Sequence, residues 1–296
     1  MTHRSSDISD QSSSDSRFSL SRRRLLLAGG GAVGIAGGGV LYVTRALDGD
    51  YGDRTAPADQ PTLSTRGQID PESPDADASV VEVEGTWDDS DELFVFVHGF
   101  DTDDQAARDQ AYTTEVGLDE LRPAPVAAYS WDSDTDWEPA KTMADANAHA
   151  LADWLVEWAN EDGRPVHLLG YSLGARVCCE TLDVLVGRQE GDAVASVSLL
   201  GGAVPHDSVE QDRRYGEAIG SVDAPVANFH SRNDRVLGWV YRASDRARAV
   251  GHDGIREAQA APTGYTDVDV TEEVDDHFSY FQPGEGCLPQ LVEQLP

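Results

Sequence analysis

Lysine is almost missing from this chain. Lys141 is the only one, and the 22 lysine and arginine residues together face 54 acidic ones, a formal net charge of -32. That deficit excludes binding to nucleic acid through its phosphates, because the protein's own field repels them. Such a surface suits a medium near salt saturation, where the Debye length is about 3 Å or less and carboxylates hold water without repelling one another. The composition therefore reads as that of an extreme halophile. Cysteine is scarce too: Cys178, Cys179 and Cys287 are too few for a disulfide framework. Two are most simply small buried residues, and a bridge from one of the adjacent pair to Cys287 is open to an exported protein. No internal repeat occurs, so the chain is not an array of small units. Disorder throughout is excluded as well, because Trp, Tyr, Phe, Leu and Val recur in periodic runs that can build a core.

What is present falls into four stretches. Residues 1–20 are rich in Ser and Asp, without apolar periodicity, and read as disordered. Residues 21–46 carry Arg22, Arg23 and Arg24, then an uncharged, glycine-diluted run from Leu25 to Val43, closed by Arg45. A basic cluster, an apolar run and a polar exit describe an export signal, and the arginine pair before leucines resembles a twin-arginine signal. The run approaches the roughly 20 residues that span a bilayer, so residues 25–43 are either cleaved off or retained as a single membrane anchor. Arginines before the run stay in the cytoplasm, which puts the remainder outside, secreted or on the outer face of the membrane. Residues 47–78 carry Pro, Gly, Asp, Ser and Thr with almost no large apolar residue and read as a flexible acidic linker. Residues 79–296 form one α/β domain. Ser79 to Glu84 alternates like a strand with one wet face, and Leu93 to Val97 is the continuous apolar run of a strand buried on both faces. Ala124–Tyr129, Val194–Leu200, Ala224–His230 and Thr266–Thr271 also read as strands. Between Pro139 and Trp158 apolar residues recur at helical spacing. Strands alternating with helices imply a mostly parallel central sheet flanked by helices.

The organising stretch is Val166 to Leu182. Val166–Leu169 reads as a buried strand, Gly170-Tyr171-Ser172-Leu173-Gly174 fits the pattern Gly-x-Ser-x-Gly, and Ala175–Leu182 can run as a helix. A strand, a sharp turn and a helix make this pattern a nucleophile elbow, with Ser172 exposed at its tip. Gly170 and Gly174 are needed because side chains there would collide with the neighbouring strand and helix. The new helix points amide groups and its positive end at the site where an oxyanion develops. Ser172 then needs a base, an acid to orient that base, and donors for the oxyanion.

In the α/β-hydrolases, which the elbow resembles, the chain order is Ser, then Asp or Glu, then His, and that likeness excludes His98, His149 and His167 as the base. His206 and His230 sit at or beside strands before the favoured acid, and His252 lies in a polar stretch with no strand before it. His277, which follows the last strand, is the favoured base. The acid has two candidates: Asp234, in the turn after Val226–His230 with Val236-Leu237 beyond it, and Asp207, after the preceding strand. Asp234 is favoured for its tight turn. Backbone N–H groups of Phe100 and Leu173 supply the oxyanion hole, with Gly99 permitting close backbone approach. A calcium loop is imitated at Asp132-Ser-Asp134-Thr-Asp136, but the sixth position is Trp137 and the twelfth Met143, so the motif fails. Trp154 and Trp158, one helical turn apart, read as core.

His98-Gly99-Phe100, Tyr129-Ser130-Trp131, the elbow, Ser231-Arg-Asn-Asp234 and Asp276-His277-Phe-Ser-Tyr280 together resemble the α/β-hydrolase superfamily. In particular they resemble a poorly characterised branch whose first loop reads His-Gly-Phe or His-Gly-Tyr. The resemblance covers about residues 90 to 282. One departure is Tyr171, where many members carry His. Only about 20 residues separate the strands around Gly202–Asp223, too few for a cap domain, although Gly238–Ala261 can contribute a covering helix. The resemblance implies a serine hydrolase that cleaves a small-molecule ester through an acyl-enzyme on Ser172, with no metal and no cofactor. Two rivals use the same residues: a thioesterase or amidase with the same triad, and a non-catalytic envelope or binding protein that keeps the elbow as architecture.

Overall fold

In the computed structural model, residues 53–70, 81–86 and 90–296 are described. Eight strands form a single sheet in the order β2-β1-β4-β3-β5-β6-β7-β8. They are β1 (Thr62–Ser64), β2 (Glu82–Glu84), β3 (Leu93–Val97), β4 (Val126–Ser130), β5 (Val166–Tyr171), β6 (Ser196–Leu200), β7 (Val226–His230) and β8 (Tyr265–Asp269). Every pairing is parallel except β1 with β2. This is the mostly parallel sheet of an α/β-hydrolase fold, and among the described residues no large cap covers it.

The period of two along each strand sorts its side chains onto two faces. In β3, Leu93, Val95 and Val97 enter one apolar cluster while Phe94 and Phe96 enter the other. In β5, Val166 and Leu168 go with the first and Leu169 and Tyr171 with the second. Helix α1 (Asp104–Leu118) places Ala111 and Leu118 on the second face, beside Leu288 and Leu291 near the C-terminus. Helices α2 (Trp137–Glu161) and α3 (Gly174–Arg188) cover the first. Trp154 and Trp158 belong to that layer, with ring centroids 5.3 Å apart. The chain leaves β3 towards β4 on one side and returns to β5 on the other. The carboxyl ends of β3 and β5 therefore flank the point where strand order reverses, which is where open α/β sheets bind ligands.

Part of the expected linker is sheet. Thr62–Ser64 pairs with β4 from Ala128 to Ser130, and the strap around it is tied down by polar groups. Gln60 donates to the Val126 carbonyl at 2.8 Å, and the N–H groups of Arg54 and Ala56 donate to Thr113 Oγ1 and Asp109 Oδ1 of α1. Leu63 is its one fully buried large apolar side chain. A segment held by backbone and polar bonds has no hydrophobic period, which is why it reads as a tether. The strand expected with one wet face, Glu82–Glu84, is an exposed edge strand. The covering segment beyond β7 is a π-helical turn, Val236–Tyr241, followed by two single turns, Arg242–Asp245 and Val250–Asp253, rather than one helix. All three cysteines are buried free thiols, so no bridge joins Cys287 to the adjacent pair. The stretches 1–20 and 21–46, with the export or anchor reading of 25–43, lie outside the described residues. Among the described residues no helix is long and apolar enough to cross a membrane.

Candidate active site

Ser172 sits between the end of β5 and the start of α3 with φ of 53°, a left-handed conformation that a non-glycine residue adopts only when its surroundings enforce it. The enforcement is visible. The Ser172 N–H donates to the Leu200 carbonyl at 3.0 Å, and the Ser172 carbonyl accepts from Ala203 N–H at 2.9 Å. A Cβ on Gly170 would stand 2.9 Å from Ala175 Cα, and one on Gly174 only 2.0 Å from the Val97 carbonyl oxygen. Both glycines are therefore imposed by backbone contacts. Gly99 is imposed as well, but by the serine: a Cβ there would meet Ser172 Cβ at 2.8 Å and Oγ at 3.3 Å.

Three side chains far apart in sequence form one hydrogen-bonded row. His277 Nε2 lies 2.9 Å from Ser172 Oγ, and His277 Nδ1 lies 2.6 Å from Asp234 Oδ2. An ionised carboxylate only accepts, so Nδ1 carries the proton facing Asp234 and Nε2 is left to accept from the serine hydroxyl. Asp234 is wholly buried, a costly place for a charge unless it is bonded. Its Oδ1 accepts the Leu237 N–H at 2.9 Å, and the Tyr280 hydroxyl stands 3.3 Å from Oδ2. The acid turn is locked to the histidine loop by Ser231 Oγ donating to the Val274 carbonyl at 2.7 Å and Asn233 donating to the Thr271 carbonyl at 2.8 Å.

Beside Ser172, the backbone N–H groups of Phe100 and Leu173 take no hydrogen-bond partner among the described residues. The loop that carries Phe100 is braced by His98. That ring donates from Nδ1 to the Gly99 carbonyl at 2.9 Å and accepts the Trp131 N–H on Nε2 at 3.1 Å, while Trp131 Nε1 donates back to the His98 carbonyl. Burial drives the His98 pKa down to about 3, so the ring stays neutral and keeps that tautomer. Arg66, from the strap, donates to the Thr102 carbonyl at 2.6 Å and to Ser130 Oγ at 2.8 Å.

The remaining candidates lie elsewhere. Asp207 pairs with Arg256 at 3.2 Å. His252 packs its ring against Gly238 and has Asp253 at 3.3 Å. His230 is buried on β7 beside Gly254, with its pKa lowered by burial. His206 is bonded through its backbone to Arg248 and Arg256. Asp132 and Asp134 of the imitation calcium loop hold Gly67 N–H and Arg66.

Three residues at the site carried no readable role in the sequence. Tyr171, noted only as a departure from His, donates its hydroxyl to the His277 carbonyl at 2.9 Å and tilts its ring against the imidazole at 5.2 Å. Tyr280 donates to the Gly251 carbonyl at 3.0 Å, and burial beside Asp234 pushes its hydroxyl pKa well up, so it remains a donor. The position of Tyr280 in the stretch Asp276–Tyr280 was its only signal. Arg66 had none, because it falls in the supposed linker.

A protein of rice (Oryza sativa subsp. japonica), "Transmembrane and coiled-coil domain-containing protein STS1", is 32% identical over 176 residues, 56% of this chain and 25% of that protein. "Probable lipase MIL1" of Saccharomyces cerevisiae is 26% identical over 164 residues, 55% of this chain and 14% of its own length. The chain thus spans a quarter or less of these relatives. Among solved structures, the mature form of Bacillus licheniformis lipase BlEst2 is similar at a TM-score of 0.42 and 19% identity, covering 71% of this chain and 95% of that one. The family model described as "Protein of unknown function (DUF726)" matches residues 113–290. That span exceeds half of the chain and takes in Ser172, Asp234 and His277, and the chain belongs to this family.

Proposed function

We propose that the protein is a serine hydrolase that cleaves an ester bond. The observation that carries this reading is the unbroken row Asp234–His277–Ser172, at 2.6 and 2.9 Å, ending on a serine held at positive φ beside two unbonded N–H groups. A structural turn needs none of these together.

The chemistry follows from the donor directions. Ser172 Oγ attacks the ester carbonyl carbon while its proton passes to His277 Nε2. The carbonyl oxygen gains negative charge and is met by the N–H groups of Phe100 and Leu173. Asp234 steadies the imidazolium through Nδ1–H. Collapse of the adduct breaks the bond to the alcohol oxygen, which takes the proton from Nε2 and leaves. Water then attacks the acyl-enzyme with His277 as base, and the acid departs. The packed rings of Phe100, Trp137 and Tyr241, with centroids 5.2 and 6.1 Å apart, run from the residue whose N–H meets the oxyanion and favour a carbon-rich acyl or alcohol group. The arginine pair and apolar run at 22–43 support export as part of the same reading.

Intact mass after treatment with a fluorophosphonate in molar salt tests the proposal. One addition is expected, located on Ser172 and missing from Ser172→Ala. No addition to the folded protein, or addition to the Ser172→Ala variant, overturns it.

A further inference from the structure

The segment that follows the acid turn, residues 235–248, has two unlike sides. Its inner side belongs to the site. The Leu237 N–H holds Asp234 Oδ1. Leu237 and Tyr241 close an apolar cluster with Ala203 and Ala249, against which Trp137 packs, and Trp137 in turn meets Phe100. The outer side has no part in the proposed reaction. Trp239 is 77% exposed, against 51% for Val83 and 43% for Leu121, the other exposed large apolar side chains among the described residues. Arg235, Arg242 and Arg246 are exposed on the same segment. None of the three side chains has a hydrogen-bond or ion-pair partner among the described residues, whereas those of Arg66, Arg108, Arg122, Arg164, Arg176, Arg188, Arg214 and Arg256 are all paired. The segment's one acid, Asp245, turns inward to Trp137 Nε1 at 2.7 Å and Lys141 Nζ at 2.8 Å.

Three free guanidinium groups on the short segment that bears a bare indole are the opposite of what a chain of net charge -32 presents elsewhere. In salt, where the Debye length is a few ångströms, a ligand feels these local charges and not the distant carboxylates. Arginines alone fit any polyanion. An exposed tryptophan among them fits the boundary between charged headgroups and acyl chains, where an amphipathic ring with cationic neighbours is most stable. We propose that residues 235–248 dock on an anionic lipid surface, with Trp239 entering the boundary and the three arginines on lipid phosphates. Docking in this way brings lipid esters to the segment whose Leu237 N–H holds Asp234. What then happens at Ser172 rests on the hydrolase reading; the docking itself does not.

The test uses the full chain in folding salt with two kinds of vesicle, phosphatidylglycerol and phosphatidylcholine, each carrying brominated acyl chains that quench tryptophan on contact. Because the apolar run at 25–43 can hold the chain to either vesicle, the readout is the emission lost by the parent and not by Trp239→Phe. That component should be quenched by phosphatidylglycerol at a lipid concentration at least about tenfold below that for phosphatidylcholine. The triple variant Arg235→Gln, Arg242→Gln, Arg246→Gln should lose this preference, and Ser172→Ala should behave as the parent. Equal quenching in parent and Trp239→Phe, or by the two lipids, overturns the proposal. So does binding to phosphatidylglycerol without quenching from the acyl region, the mark of a site for acidic polymers. Since Ser172→Ala carries the readout without turnover, an inactive parent that is still quenched refutes the hydrolase reading alone.

Discussion

Replacing Asp234 with Asn keeps the shape of the acid and reverses the direction of one hydrogen bond. The amide has two ways to sit. With its oxygen on the Leu237 N–H, where Oδ1 now accepts at 2.9 Å, its nitrogen faces His277 Nδ1 and the Tyr280 oxygen. Both amide hydrogens then find acceptors, because the Tyr280 proton can go to the Gly251 carbonyl at 3.0 Å. In the flipped orientation the amide nitrogen meets the Leu237 N–H, and a buried donor is left unbonded at about 1–3 kcal/mol. The first orientation therefore outweighs the second by about 5- to 150-fold. It forces the proton of His277 onto Nε2, so the ring offers Ser172 a donor where an acceptor is required. The expected fall in kcat is about 10³- to 10⁴-fold, near the loss of about 5 kcal/mol that a reversed tautomer costs in a serine triad. The melting temperature should change little, since every buried group is still bonded. The assay is the steady-state hydrolysis of a short 4-nitrophenyl ester in molar salt, with circular dichroism to check the fold and Asp207→Asn as control. A folded Asp234→Asn within tenfold of the parent, or an Asp207→Asn variant that is the crippled one, refutes the reasoning.

Three further outcomes are expected. Ala at Gly99 should keep the fold but cost at least about 10²-fold in fluorophosphonate labelling rate, because its Cβ drives against Ser172 at 2.8 Å; an unchanged rate would mean that the first loop yields. Neutral buried His98, with its pKa near 3, takes up its proton only on unfolding, so the stability it allows is full above pH 6.5 and is lost as pH falls towards 3. Urea unfolding should show about 2 kcal/mol less stability at pH 5 than at pH 6.5 from this residue, a difference that His98→Gln should remove and that would persist in the variant if other groups cause it. Dilution from molar salt to 0.1 M should lower the melting temperature as repulsion returns among carboxylates that leave the chain at -32; an unmoved transition would refute the halophilic reading.

Where chemistry dictates a residue type, the sequence could be read. A serine at the tip of a strand–turn–helix, an acid in the turn after the next strand but one and a histidine after the last strand are each required at the carboxyl edge of a parallel sheet. Ser172, Asp234 and His277 do meet there. Buried strands such as Leu93–Val97 could be read as well, because a strand covered on both faces has no polar positions. Helix α1 escaped notice for the opposite reason. Asp104–Leu118 buries Gln110, Thr113 and Thr114 alongside Ala107 and Ala111, so its inner face carries almost no apolar signal.

The groups that hold the site escaped notice for a further reason, which is that their partners are mostly backbone. Arg66 bonds the Thr102 carbonyl, Tyr171 the carbonyl of His277 and Tyr280 that of Gly251. Carbonyls are present at every residue, so no pattern of side chains advertises which one is the acceptor. Such bonds fix the loops and leave the reacting groups to be placed by the loops. This division explains why the strap at 53–70 matters to a site at the far end of β3. Its one fully buried large apolar residue, Leu63, anchors it in the core, and Arg66, three residues on, reaches the loop that carries His98 and Phe100. Loosening the strap would move Phe100 relative to Ser172 without touching either residue. The oxyanion donor proposed at Phe100 depends on just that separation, so the proposed site extends to a strand that seemed to be tether.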